Sequence, residues 1–159
     1  MPLRIGFAYN EKPDPEDEPP GSRGRPPGED AFAEWDDPET IAAVAAALST
    51  AGEVIRLEAD ADFPARLREV RPDIVFNIAE GLHGPSREAH VPAICEFYDI
   101  PYTGSDPLTL AIGLDKRRTK EVLAANGVAV PHGVAVTDPD HRHDALQVPV
   151  PAFVKPLFE

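Results

Sequence analysis

The chain has 159 residues, 42% of them hydrophobic, a formal net charge of −13 and a single cysteine. That length and apolar content suit one domain with a core of its own, which excludes a wholly disordered chain. The acidic balance argues against nucleic acid as a partner, because neutralising phosphates takes clustered Lys and Arg, and the lone Cys95 excludes an internal disulfide, as fits a reducing compartment.

Leu3-Arg-Ile-Gly-Phe-Ala-Tyr9 reads as a first strand, β-prone and too short for a helical period. Nothing before it resembles a signal peptide, and nowhere do about 18 apolar residues run together, so a cytoplasmic protein with no membrane partner is expected. Residues 11–35 then carry Pro13, Pro15, Pro19, Pro20, Pro26 and Pro27 amid most of the excess acid. Such a composition buries too little apolar area to offset ordering entropy, so a disordered loop is predicted, placed where lids over ligand sites also occur.

Asp37-Pro-Glu-Thr40 signals a helix start, with Asp37 as cap and Pro38 in the first turn. Ile41, Val44, Ala45 and Leu48 form its inward stripe, and Gly52 is its expected end. Val54 to Leu57 is a second strand; Phe63 to Val70 is a short helix with Phe63, Leu67 and Val70 on one face. Asp73 to Ile78 is a third strand whose unbroken apolar run suggests a central, doubly buried position.

A helix opening at Pro85 or Ser86 places Val91, Ile94, Cys95 and Tyr98 on one face. Ile100-Pro-Tyr102 is a short fourth strand, Ser105-Asp-Pro107 caps a further helix, and a last helix runs from Asp115 to Asn126-Gly127. The alternation specifies an α/β fold with a doubly wound, mainly parallel sheet flanked by helices. Strand-like pieces at Val128 to Val130, Gly133 to Val136 and Ala152 to Lys155 belong to something beyond that sheet.

Glu80-Gly-Leu-His-Gly84 leaves the third strand at the carboxyl edge of the sheet, where such folds bind ligands. His83, near Glu80 and Arg87 in sequence, suits orienting a carboxylate or relaying a proton, though a loop histidine also serves as a turn hydrogen-bonder. Thr103-Gly-Ser-Asp106 offers hydroxyls and helix amides to an anion, and reads equally well as a plain cap. Lys116, Arg117, Arg118 and Lys120 cluster cations in an acidic chain. Lys155 stands inside the apolar Phe153-Val-Lys-Pro156, where a buried ammonium needs an anion. No zinc spacing, Walker-type loop, nucleophile elbow or dinucleotide fingerprint occurs.

Taken in order, Asp73-Ile-Val-Phe-Asn77, Leu82-His-Gly84, Ile100-Pro-Tyr-Thr-Gly-Ser105, Leu114-Asp-Lys116 with Thr119-Lys120, and Phe153-Val-Lys-Pro156 resemble the D-alanine:D-alanine ligase family of ATP-grasp enzymes, over most of residues 70 to 156. The resemblance implies that residues 1–127 are the amino-terminal, pre-ATP-grasp domain and that 128–159 are the truncated start of the central, ATP-grasp region. It implies an ATP-dependent carboxylate–amine ligase acting through an acyl phosphate, with Mg2+ held by residues outside this stretch. Carried over by motif, Lys116 and Lys155 would contact ATP phosphates and His83 the first amino-acid substrate. Glu80 joins His83 as a candidate for catalysis, while Arg87 and Ser105 are candidate substrate contacts by proximity.

The resemblance also implies small amino-acid or peptide substrates and a possible homodimer. Two departures stand out. Tyr9-Asn-Glu11 replaces the family's serine and glutamate motif that holds the first substrate's ammonium, and Pro85-Ser-Arg-Glu88 replaces a glycine and acidic run. The chain is expected to continue past Glu159 into a glycine- and serine-rich loop, and to be inactive as this piece. An ATP-grasp ligase for another amino acid or peptide, and a non-catalytic α/β module binding a small ligand, stay open as alternatives.

Overall fold

A computed structural model describes residues 1–13, 32–138, 140 and 148–158. The element order is β1 (Leu3–Tyr9), α1 (Pro38–Leu48), β2 (Gly52–Glu58), α2 (Phe63–Val70), β3 (Ile74–Asn77), a 3-10 turn at Arg87–Ala89, α3 (His90–Phe97), α4 (Pro107–Leu114) and α5 (Lys116–Ala125). The three strands are parallel in the order β2-β1-β3. The expected fourth strand shrinks to one bridge between Tyr102 and Val75. There Val75 donates to the Pro101 carbonyl at 2.8 Å and Thr103 donates back to Val75 at 2.9 Å; Pro101, lacking an amide hydrogen, cannot extend the ladder.

The middle of the sheet is β1 rather than β3. Its residues from Ile5 to Tyr9 are all buried, and side chains alternate between two cores. Phe7 and Tyr9 meet Ile41 and Ala45 of α1, with Val44 and Leu48 packed alongside. Ala8 faces the larger core, built from Leu57, Phe63, Leu67, Val75, Val91, Cys95 and Ile100. Helices therefore cover both faces, as the doubly wound pattern requires. Phe7 and Phe63, 0% and 1% exposed, each contribute about 2–3 kcal/mol of apolar burial. Burial, then Glu96, pushes the Cys95 thiol up to about 12, so it is an inert packing group.

Several sequence expectations change here. Asp37 makes no side-chain cap, because its carboxylate pairs with Lys12 at 3.3 Å. Helix α1 ends at Leu48, not Gly52; Ser49 and Thr50 turn their hydroxyls back onto the Ala46 and Ala47 carbonyls, each at 2.7 Å. Gly52 instead starts β2 opposite Leu3. The helix foreseen from Pro85 or Ser86 becomes α-helical only at His90, after the 3-10 turn. Residues 128–138 and 152–158 contain no strand among those described. A strand exists only by pairing, and these segments find no sheet edge here. Of the expected loop over 11–35, residues 14–31 lie outside the described residues. Its ends are pinned together, since Glu11 bridges Asp36 and Lys12 donates to the Asp36 carbonyl at 2.9 Å.

Two glycine substitutions separate close approach from mere helix propensity. A Cβ at Gly52 would overlap the Leu3 carbonyl oxygen, whereas one at Gly113 in α4 meets nothing within 4 Å. Gly52→Ala is expected to cost roughly 1–3 kcal/mol through strand displacement and Gly113→Ala to gain about 0.5–1 kcal/mol, both read from urea unfolding midpoints.

Candidate functional site at the carboxyl edge of the sheet

Because the three strands run parallel, their carboxyl ends gather the following turns on one side of the sheet. A cleft of about 250 Å³ opens there, lined by Asn77, Ile78, Ala79, Glu80, Glu88, Gly104, Ser105 and Leu110. Two of the foreseen residues, Glu80 and Ser105, thus share one cavity. Asn77 and Glu88 line it too. Both sit in motifs that the sequence singles out, yet neither is foreseen as a site residue, because a strand-end asparagine and a helix-entry glutamate carry no signal of their own.

The lining is acidic. Glu80 is pushed up from 4.5 to about 7, first by burial, then by Glu88 and Glu34, with Arg87 pulling the other way and Asp36 adding to the rise. Glu88 is raised as well, chiefly by burial, while Arg87 and Lys116 hold it down and Glu34 opposes them. A pair of half-buried carboxylates with raised pKa favours a positively charged ligand group, whose charge would restore ionisation.

Arg87, the chain neighbour of Glu88, has its side chain 14% exposed. Its guanidinium pairs with Glu34 and donates to the Phe158 carbonyl at 2.7 Å. Those contacts tie the end of the β1 loop to residues 157–158, which gives Arg87 a clamping contact in place of an open site for a substrate carboxylate. Lys116, half-buried at the start of α5, donates its backbone amide to the Leu157 carbonyl at 3.1 Å. The segment carrying Lys155 therefore returns to the first turn of α5.

Lys155 itself is exposed, beside Phe153 and Val154 at 94% and 100%. The expectation of a charge inside a covered strand is corrected accordingly. His83 is exposed on its turn and outside the cleft lining. Of the two readings of residues 103–107, the structure has the cap: Asp106 accepts from the Leu108 and Thr109 amides, both at 3.0 Å, and from the Thr109 hydroxyl at 2.6 Å. Asp115 likewise takes the Arg117 and Arg118 amides at 3.0 Å, so an incoming phosphate would meet side chains rather than helix amides. Arg117 and Arg118 are also paired, with Glu121 and Asp115, each at 3.3 Å.

Asn10 carries no local signal of a site residue in the sequence. It is 1% exposed, directly after β1. Its Nδ2 donates to the Ala59 carbonyl at 3.2 Å and its Oδ1 accepts from the Gly81 amide at 2.8 Å. Gly81 holds φ at +81°, and a Cβ there would overlap the Arg87 carbonyl. Only glycine accommodates both demands.

The raised pKa of Glu80 has a measurable consequence. Between about pH 4.5 and 7 the folded chain keeps a proton that the unfolded chain has released, so this group's contribution to stability falls as pH rises through that window. Glu80→Gln is expected to raise Tm at pH 8 by a few degrees, at about 2–4 °C per kcal/mol, and to leave it nearly unchanged at pH 4. An equal effect at both pH values would assign the change to packing rather than to charge.

No protein-family model matches the chain. Individual proteins do. It is 42% identical over 115 residues to the D-alanine–D-alanine ligase of Cereibacter sphaeroides, covering 72% of this chain and 36% of that protein. It is 35% identical over 122 residues to the D-alanine–D-alanine ligase of Aquifex aeolicus, covering 76% of this chain and 41% of that one. The fold matches the crystal structure of D-alanine–D-alanine ligase from Bacillus anthracis with a TM-score of 0.54 and 21% identity, over 82% of this chain and 37% of that chain. The chain thus spans little more than a third of the length of these relatives, and over the stretch it shares with them it is similar to D-alanine–D-alanine ligases in sequence and in fold.

Proposed function

We propose that this chain supplies the amino-acid-binding part of an ATP-dependent carboxylate–amine ligase, with residues 1–127 as its amino-terminal domain and 128–159 as the start of the central, ATP-grasp region. The observation that carries the reading is the acid-lined cleft at the carboxyl edge of the sheet, in a chain 42% identical to a protein named D-alanine–D-alanine ligase. In the proposed reaction one substrate carboxylate takes the terminal phosphoryl group of ATP to give an acyl phosphate, and the amine of a second substrate displaces phosphate.

Within that scheme the residues of the cleft handle the ammonium end of a substrate. Burial pushes Glu80 up to about 7, so an arriving ammonium favours its carboxylate form and gains a charge-assisted hydrogen bond. Glu88 supplies a second negative group and Ser105 a hydroxyl at the rim. His83, outside the lining, would meet substrate only from the solvent side of its turn. Lys116 and Lys155 are assigned to ATP phosphates. Both side chains are accessible, and the Leu157 contact brings their segments together. Among the described residues no group of three or more His, Cys, Asp or Glu is arranged to hold a metal ion, and the proposed reading assigns the Mg2+ ligands to residues outside this stretch.

A second reading, a ligase for an amino acid or peptide other than D-alanine, is favoured by Asn10. Where the family's serine and glutamate motif would reach the first ammonium, this buried amide is committed to Ala59 and Gly81. Ammonium recognition then falls to Glu80 and Glu88.

The test is phosphate release from ATP by the whole protein against a panel of amino acids and short peptides, D-alanine included. Turnover that requires both ATP and an amine-bearing substrate is expected. Lys116→Ala is expected to raise KM for ATP about tenfold or more, some 1.4 kcal/mol of binding. Phosphate release with no member of the panel, or an ATP KM untouched by Lys116→Ala, would contradict the assignment.

A further inference from the structure

Four segments at the carboxyl edge of the sheet meet at one residue, through its side chain and its backbone, that no site assignment includes. Asn10 follows β1, its Nδ2 holds the Ala59 carbonyl beyond β2, and its Oδ1 holds the Gly81 amide beyond β3. Its own carbonyl accepts from the Asp36 amide at 3.0 Å, fixing the returning end of the β1 loop. At 1% exposure the amide has no water to fall back on, so each of these bonds is expensive to lose.

We infer that Asn10 is the positioning residue that sets Glu80 at the cleft, acting through the Gly81 amide. This rests on the proposed reading in which Glu80 meets a substrate ammonium. The geometry runs in one direction. Glu80 and Gly81 share a peptide unit, so the hydrogen bond from the Gly81 amide to Oδ1 fixes the plane that follows the Glu80 Cα. The positive φ at Gly81 then stacks the next segment against the backbone of Arg87. Released from Oδ1, that peptide is free to rotate, and the Glu80 side chain turns out toward water.

An asparagine meets both demands, whereas aspartate keeps only the acceptor for the Gly81 amide and leucine keeps neither. One end must donate to a carbonyl and the other must accept from an amide, at 3.2 and 2.8 Å, with no net charge added near Glu80, Glu88, Glu34 and Asp36. Only the carboxamide offers that pair in so short a side chain.

The test is ligand-free. The Glu80 side-chain carboxyl is followed by carbon-detected NMR through a pH titration of the wild-type chain, Asn10→Ala and Asn10→Asp, with amide dispersion recorded as the check on folding. The groups acting on Glu80 are Glu88, Glu34, Arg87 and Asp36, and all are retained. The wild-type midpoint is expected near pH 7, with Asn10→Ala about one unit lower or more, because Glu80 regains solvent. Asn10→Asp keeps the acceptor for the Gly81 amide and adds a negative charge, so its midpoint is expected at or above that of wild type.

A wild-type midpoint in the ordinary carboxylate range overturns the inference, as does an unchanged midpoint in folded Asn10→Ala. If Asn10→Ala does not fold, Asn10→Asp decides, and a midpoint below wild type contradicts the role. None of these readings involves turnover, so a failure of the ligase assignment would show in the phosphate assay while leaving this titration intact.

Discussion

The candidate site depends on β1 being hydrogen-bonded along both edges. Pairing with β2 from Leu3 to Tyr9 and with β3 from Ile5 to Ala8 leaves the strand no freedom to slip, since a one-residue shift would exchange its two faces. Phe7 and Tyr9 would then leave the α1 side and Ala8 the α2 and α3 side. With the register held, the residues just past the strand ends, Asn10, Ala59 and Ile78 to Gly81, arrive at one place. Ala59 donates to the Tyr9 carbonyl at 2.8 Å and Ile78 to the Ala8 carbonyl at 2.9 Å, so the ladders continue into the turns that carry the cleft.

Electrostatics at that edge sets four carboxylates against few cations. Glu88, Glu34 and Asp36 act on Glu80 and Glu34 acts on Glu88, while Arg87 at both and Lys116 at Glu88 offset part of the repulsion. Burial is nevertheless the first cause of the rise at both Glu80 and Glu88. Removing carboxylates from water costs free energy that a nearby guanidinium recovers only in part. Keeping such groups is a poor device for stability, and it makes sense for a surface that receives a cation. The clamp at Arg87 adds a mechanical element, because a single side chain holds both Glu34 and the Phe158 carbonyl beside the cleft.

Much of the fold was legible in the residues. Periodicity gave Phe63 to Val70 as a helix and Ile41, Val44, Ala45 and Leu48 as a stripe because a helical face has one answer in a short window. Gly52 misled, since a glycine after a helix and a glycine required by a close strand neighbour look alike in sequence. The central strand was misplaced for a similar reason: an unbroken apolar run reports burial and says nothing of which strand lies in the middle. The strands expected around residues 128–136 and 152–155 failed because β propensity is realised only against a partner edge. At the cleft, Glu80 and Ser105 are legible from their places after a strand and before a helix, and both line the cavity. Asn10 was missed because a buried amide bridging residues 49 and 71 positions away leaves no local pattern.

The central claim is that this edge of the sheet receives a ligand's ammonium at Glu80. Proton exchange on binding tests it most directly. Calorimetric titration of the whole protein with an amino acid that supports phosphate release, at pH 7 and repeated in buffers of differing ionisation enthalpy, should show release of a fraction of a proton per ligand, because a carboxyl raised to about 7 becomes ionised beside the incoming charge. Binding with no proton exchange, or with uptake, would contradict it.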